Sequence, residues 1–444
     1  MKRSAWRFLW IAPDIRNRLL MSFALLAVYR LAAHVPVPGV NREAIAGILG
    51  QSGAGQTLFN LLDLLSGGTV SNFSVLAMGV YPYITAQIII QLLVPIIPPL
   101  QRRMEDDPRE GRKWMEKWTY YLAVPMASLN AFGQIRLFEQ FAAGRQILTT
   151  PLGFNLPSLA MVASMTAGTM FAIWLGELIS EHGMRNQGLS LIIFSGIVSR
   201  IPANLLRLMT DQESRIPLLF FLLVITTLTI FAIVYVQEGR RHVPVMYPGR
   251  RVGNRMSMPV KGTLPLMVNM AGMIPLIFAQ SLLTFPAVVA QFFVGSSNET
   301  VRAIAVFLQS NFGGISPAYW VMYFFFVVGF TFFYTDVIFS QQNYGENLKR
   351  AGAQVPGVTK GAATQRYLTR VLRRITFPGA VFLGMVAIMP FLVGLFWPVG
   401  GSNAGLLLVS SAGLLIVVGV IRDVYRSIEA ELKLRGYDAG LLVR

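Results

Sequence analysis

Ten apolar segments divide this chain, and its cationic residues crowd into every second gap between them. The segments lie near 19–34, 75–97, 118–135, 159–176, 189–206, 217–236, 264–290, 317–340, 375–395 and 405–421. Each is close to the length a helix needs to cross about 30 Å of hydrocarbon. Thirty Lys and Arg residues fall before the first segment, in 98–117, 177–188, 237–263 and 341–374, and in the tail; only six occupy the alternate gaps, and Arg30 and Arg200 lie inside segments. Cationic loops stay on the cytoplasmic side. The pattern predicts ten transmembrane helices with both termini cytoplasmic.

The composition agrees with a membrane protein. The chain is 54% hydrophobic and 13% charged, with mean hydropathy +0.55, which excludes an ordinary soluble domain. Its net charge of +17 would suit a nucleic-acid partner if it formed one patch. Instead the cations flank the spans, where topology and anionic lipid headgroups account for most of them. Cysteine is absent, so no disulfide or Cys nucleophile is available. No small-residue cleavage site follows the first span, which is therefore expected to be retained.

Five spans precede the segment 207–216 and five follow it. The expected organisation is a first half (1–206), a linker (207–216), a second half (217–421) and a cytoplasmic tail (422–444). An odd number of spans per half makes the second half enter the membrane inverted. The second span of each half carries the same disturbance, Gly79-Val80-Tyr81-Pro82 and Gly272-Met273-Ile274-Pro275. Paired interruptions of this kind point to a site where the halves meet. Residues 57–74 are too short to span and too apolar for a solvated loop. They read as a short half-inserted helix ended by Gly67-Gly68, or as one lying on the membrane surface.

Bond-making chemistry is missing. No Asp or Glu occupies the middle of a span, whereas ion-coupled carriers place ionisable groups there. Glu177, Glu181 and His182 have helical spacing but read as the polar end of span four. No catalytic triad or Gly-rich phosphate loop occurs. Neither an enzyme nor a cofactor or metal site is expected. Gln87, Gln91 and Gln280 lie within spans and should face other helices or water.

Several ordered motifs carry a resemblance. They are His34-Val35-Pro36-Val37-Pro38-Gly39, Leu65-Ser66-Gly67-Gly68, Gly79-Val80-Tyr81-Pro82-Tyr83-Ile84, Trp174-Leu175-Gly176-Glu177, Val268-Asn269-Met270-Ala271-Gly272-Met273-Ile274-Pro275, Asn347-Leu348-Lys349-Arg350-Ala351-Gly352 and Val355-Pro356-Gly357. Together they resemble the SecY family of protein-conducting channels, from about residue 15 to Arg435-Gly436-Tyr437. The resemblance implies an all-α polytopic membrane fold. Ten helices would form two inverted five-helix halves, arranged as a clamshell with a short plug helix. The function implied is passage of unfolded polypeptides across a bacterial cytoplasmic membrane and sideways release of apolar segments. A secondary transporter of a small solute is the alternative that inverted repeats also allow.

The resemblance also implies site residues. A pore ring falls on Val80, Ile84, Leu189, Ile193, Ile277 and Ile416. The plug falls on Asn60, Leu61, Leu62, Asp63, Leu64, Leu65, Ser66, Gly67 and Gly68. A lateral gate between spans two and seven involves Thr85, Ile88, Gln280, Ser281 and Phe285. Arg240, Arg241, Arg250, Arg251, Arg255, Lys349, Arg350, Lys360 and Arg366 would dock the ribosome or the motor ATPase SecA. The implied partners also include SecE, SecG, signal sequences, nascent polypeptides and membrane lipids. Two departures sit on the same mouth. Thr359 stands where the family carries an Arg, with Lys360 one residue late, and Gly183-Met184-Arg185-Asn186-Gln187-Gly188 is one residue longer than the family's turn.

Overall fold

The computed structural model describes residues 13–40, 73–141, 155–184, 187–210, 215–248, 251–252, 255–256, 260–291, 293, 298–312, 316–396 and 404–434. It is mostly helical. A helix coincides with each of the ten predicted spans: α1 (Pro13–Ala32), α2 (Tyr81–Ile96), α4 (Pro108–Phe141), α5 (Leu156–His182), α6 (Gly188–Thr210), α7 (Arg215–Glu238), α8 (Ile274–Gln291), α10 (Pro317–Gln341), α12 (Ala362–Phe396) and α13 (Ala404–Leu434). Three shorter helices fall between those spans, α3 (Pro98–Asp106), α9 (Glu299–Phe312) and α11 (Tyr344–Arg350). Among the described residues three helical stretches are long and apolar enough to cross a membrane: Leu156–His182, Pro317–Arg350 and Ala362–Met389. The plug residues 60–68 lie outside the described residues.

The packing order repeats. α2 packs on α4, α4 on α5, α5 on α6, and α1 on both α5 and α6. In the same sequence α8 packs on α10, α10 on α12, α12 on α13, and α7 on both α12 and α13. The two sets meet where α2 contacts α8, α6 contacts α13, and α4 contacts α8.

Two span boundaries need correction. Spans two and seven were expected to begin at residues 75 and 264, with Gly and Pro interrupting them. Instead those residues precede the helices. α2 starts at Tyr81 with a Pro in its first turn, and α8 starts at Ile274, directly before Pro275. Proline suits a helix start, where its missing N–H would have no partner. Gly79 (φ 51°) and Gly272 (φ 65°) turn the chain ahead of each start, a backbone region that glycine enters without steric cost. Asn269 holds the second turn, its side chain accepting from the Gly272 N–H (2.9 Å) and donating to the Gly272 carbonyl (3.0 Å).

The all-α expectation also fails at one end of the bundle. Strand β1 (Arg240–Tyr247) pairs antiparallel with β4 (Val260–Met267), and β2 (Arg251–Val252) pairs with β3 (Arg255–Met256) between them. The cause is a period-two pattern that the basic composition obscured: Val243 and Val245 are buried while Arg241, His242 and Pro244 are exposed, as on one face of a strand. Those valines join Leu266, Phe339, Leu348, Val355, Leu368 and Leu372 in an apolar cluster. Met246 and Gln354 exchange backbone hydrogen bonds of 2.8 and 3.0 Å, which ties the hairpin to the loop before α12. The helix α13 likewise runs on to Leu434, into the segment expected to be tail.

The segment 73–80 is irregular yet deeply buried: Phe73, Leu76, Ala77 and Val80 are each at most 1% exposed. The N–H of Val75 donates to the Val35 carbonyl (3.0 Å), and that of Val37 to the Phe73 carbonyl (3.2 Å), so the chain after α1 satisfies its backbone. The Pro-rich motif at 34–39 thus acts as a short pairing partner for residues 73–75. Gly168 of α5 makes the approach possible, because a Cβ there would lie 2.1 Å from the Val75 carbonyl oxygen. Gly168→Ala should therefore lower stability by about 1–3 kcal/mol through overpacking. Thermal unfolding of the purified variant beside the parent checks this, with a lower Tm expected.

Candidate functional site

The candidate pore residues come from four helices and the turn before α2. Val80 is the residue preceding α2 and Ile84 lies one turn inside it; Leu189 and Ile193 sit on α6, Ile277 on α8 and Ile416 on α13. All six belong to one apolar cluster, with Val80, Ile193, Ile277 and Ile416 at 1–7% exposure and Ile84 and Leu189 half-buried against them. Their convergence is local in origin. The starts of α2 and α8 and the first turns of α6 each present a branched residue, and α13 adds Ile416. A ring of such side chains excludes water by dewetting and offers no fixed hydrogen bonds.

The expected gate residues lie on two helices that are in contact, Thr85 and Ile88 on α2 and Gln280, Ser281 and Phe285 on α8. Thr85, Ile88, Gln280 and Ser281 are buried, whereas Phe285 is 58% exposed. Thr85 Oγ1 donates to the Pro82 carbonyl (2.9 Å) and Ser281 Oγ to the Ile277 carbonyl (2.7 Å). Both hydroxyls are thus satisfied within their own helices. The Tyr81 hydroxyl of α2 lies close to Ser281 of α8. Further along, the Tyr334 hydroxyl on α10 donates to Gln91 Oε1 on α2 at 2.5 Å. Gln91 therefore faces another helix, as a polar amide in a span should. Neither tyrosine was singled out in the sequence. A buried Tyr opposite a membrane amide is the signal available, but it needs the pairing of distant helices to be seen.

The polar groups near α1 are also engaged. Arg30, in the last turn of α1, donates to the Ser195 carbonyl of α6. Ser22 Oγ accepts from the Met184 N–H (3.1 Å), and Ser180 Oγ from the Gly188 N–H (3.0 Å). The longer turn after α5 is thereby fastened at both ends. Glu181 and His182 approach to 4.0 Å on an exposed end of α5. Among the described residues no cluster could hold a metal ion.

The two basic loops form one body through the hairpin. Arg240 and Arg241 are exposed on β1, Lys349 and Arg350 on α11, Lys360 in the following loop and Arg366 on α12. Arg240 pairs with Glu238 (3.0 Å), which also meets Arg426 of α13 (2.7 Å). Lys349 and Arg350 both lie near Glu346, at 3.6 and 3.7 Å. Arg251 and Arg255 are on the short strands at the hairpin tip; Arg250 lies outside the described residues. Thr359 is exposed beside Lys360, and its carbonyl accepts from Thr364 Oγ1 (2.8 Å).

The sequence profile of the SecY family matches residues 74–425. The chain belongs to the SecY family. Relatives named protein translocase subunit SecY include one from Streptomyces scabiei, 34% identical over 97% of both chains. Those from Chlamydia trachomatis and Aquifex aeolicus are each 36% identical over 96% of both chains. The fold resembles a solved protein-conducting channel with TM-score 0.63 and 17% identity, covering 94% of this chain and 92% of the other. It also resembles a SecY structure solved to describe how its plug domain stabilises the closed channel, with TM-score 0.62 and 17% identity over the same shares. As a SecY-family chain it is a translocase channel subunit and not an enzyme.

The Tyr334–Gln91 bond makes a quantitative expectation. Interhelical hydrogen bonds in membranes contribute about 0.6 kcal/mol on average and up to about 1.7. A double-mutant cycle of Tyr334→Phe and Gln91→Leu, read by unfolding in detergent, should give a coupling energy in that range; complete additivity would mean the contact contributes nothing.

Proposed function

We propose that this chain is the central subunit of a protein-conducting channel, passing unfolded polypeptides across a bacterial cytoplasmic membrane and releasing apolar segments into lipid. The observation that carries the reading is the convergence of Val80, Ile84, Leu189, Ile193, Ile277 and Ile416 in one apolar cluster in a chain of the SecY family. These residues form the constriction. It yields around any passing chain because nothing in it recognises a particular sequence.

On this reading the ten helices cross the membrane as two inverted halves, 1–206 and 217–421, with both termini cytoplasmic. The repeated packing order and the matched Gly-x-x-Pro starts of α2 and α8 support that arrangement. The plug is residues 57–74. The lateral gate is the α2–α8 seam, with Thr85, Ile88, Gln280, Ser281 and Phe285 on it. Thr85 and Ser281 bond to their own helices, so parting the seam leaves neither hydroxyl orphaned. A sufficiently apolar segment leaves through it because transfer to lipid is favourable.

The body built from the hairpin, α11 and the start of α12 is the docking surface for the ribosome or SecA. Arg240, Arg241, Lys349, Arg350, Lys360 and Arg366 contribute, with Arg251 and Arg255 on the short strands; Arg250, outside the described residues, is included on the family resemblance. Docking on ribosomal RNA would weaken as salt rises. Thr359 replaces the family's Arg, and Lys360 does not reproduce a guanidinium's planar fork, which shifts the balance away from the motor. SecE and SecG complete the assembly, with nascent chains, signal sequences and lipids as its contacts.

Single-channel conductance in planar bilayers, with SecE present, tests the reading. The intact chain should be quiet, and deletion of residues 60–68 should give frequent large openings. A folded, inserted deletion that stays silent would sink the plug assignment. Ile277→Asn should likewise raise ion leakage by wetting the ring; unchanged leakage would mean the cluster is ordinary packing.

A further inference from the structure

The extension of α13 past its apolar span ties together helices of the two halves. α13 runs to Leu434, about 20 Å beyond residue 421, where the span was expected to end. Ile416, Val420, Val424 and Ile428 recur at every fourth position along it, and all belong to or pack against the cluster that holds the pore residues. Leu19 of α1 packs against the same cluster. Glu431, one turn past Ile428, continues that face, and its Oε1 lies 2.9 Å from Arg18 Nη1 of α1. The two side chains are 24% and 21% exposed, which makes this the ion pair with both members shielded among the described residues. Arg18 Nη1 is buried and makes no hydrogen bond, so charge attraction and not a directed bond holds the contact. Arg426 lies about 140° away around the helix. Its Nη2 meets Glu238 Oε1 at the end of α7 (2.7 Å), and its Nη1 meets Met267 Sδ of β4 (3.5 Å). One stretch of helix is thereby fastened to the second half by Arg426 and to the first half by Glu431.

We propose that Arg18 and Glu431 are positioning residues: their pair is a strap that holds the two halves at the closed spacing and parts when the apolar cluster opens. The proposal rests on the two-half channel reading given above. Apolar contact resists separation in proportion to area and has no preferred direction. A charge pair adds a preferred position, and its attraction is lost within a short travel once water enters between the partners. Fully exposed ion pairs contribute little, but both members here are shielded. A pair that served stability alone would be equally useful within one half. This one joins α1 to the last helix of the other half, on the helix face that carries Ile416.

The test uses the complete chain with SecE in lipid nanodiscs. The chain has no cysteine, so spin labels go only where cysteine is introduced. Lys113→Cys on α4 and Arg370→Cys on α12 are exposed positions, one in each half, and double electron–electron resonance reads the distance between them. Arg18→Glu and Glu431→Arg should each add a longer-distance population, and combining the two should restore the parental distance. In planar bilayers each single variant should open about fivefold more often than the parent, the upper range for a pair that water still reaches. The combined exchange should return to the parental frequency, which loss of packing alone would not produce. Arg18→Gln and Glu431→Gln carry the same expectation and keep the test open if a charge reversal does not fold.

Unchanged distances in folded single variants overturn the strap. So does a combined exchange that behaves like the single variants, because the two residues then act independently. The distance measurement needs no conduction, which separates this proposal from the reading beneath it. If deletion of residues 60–68 is silent in the same bilayers while the distances shift, the plugged-pore reading fails and the strap between halves stands. If the deletion conducts and the distances stay fixed, the strap fails and the pore reading stands. If the deletion conducts and the distances shift without any change in opening, the strap has no part in gating and the proposal fails.

Discussion

Contact among branched apolar side chains at one point, where α2, α6, α8 and α13 meet, is the constraint the rest of this architecture serves. Such a contact is dry, close-packed and without directional bonds. It separates with a cost set by exposed area and not by broken hydrogen bonds. The neighbouring polar groups respect the same economy. Thr85 and Ser281 donate to carbonyls of their own helices, so neither hydroxyl depends on a partner across the α2–α8 contact. One tyrosine hydroxyl crosses between helices, Tyr334 of α10 to Gln91 of α2.

That convergence depends on backbone that is not regular. Residues 73–80 run as buried turns against α5, and Gly168 leaves them the space. The approach delivers Val80 to the cluster directly before α2 begins. At α8 the turn fixed by Asn269 and Gly272 plays the matching part for Ile277. At the other end of the bundle the hairpin and α11 share an apolar core, which holds exposed cations of two distant loops on a single body. Without that core the two loops would be independent charged segments.

Much of this was legible in the residues. Hydropathy located a helix over each of ten segments because membrane helices satisfy their own backbone and so need only apolar length. The motifs from His34 to Gly357 identified the family, and the six residues that the resemblance implied for the pore all fall in one larger apolar cluster. Other features escaped for physical reasons. Gly79-Val80-Tyr81-Pro82 and its counterpart read as breaks inside helices, since a Pro in an apolar run is equally compatible with a kink and a first turn. The alternation around Val243 and Val245 spans few residues and is masked by arginines. The partner of Arg30 is a backbone carbonyl 165 positions away, which no local pattern reveals.

The sequence by itself determined where helices form, how cations distribute around them and which family the chain belongs to. Those properties follow from local composition and ordered motifs, and they need no knowledge of which helix touches which. The tertiary structure alone decided the rest. It brought Val80 against Ile277 and Ile416, paired Tyr334 with Gln91, joined two basic loops through a hairpin, and set Glu431 of α13 beside Arg18 of α1. Each of these depends on the relative placement of segments far apart in the chain, which packing sets and local pattern does not encode.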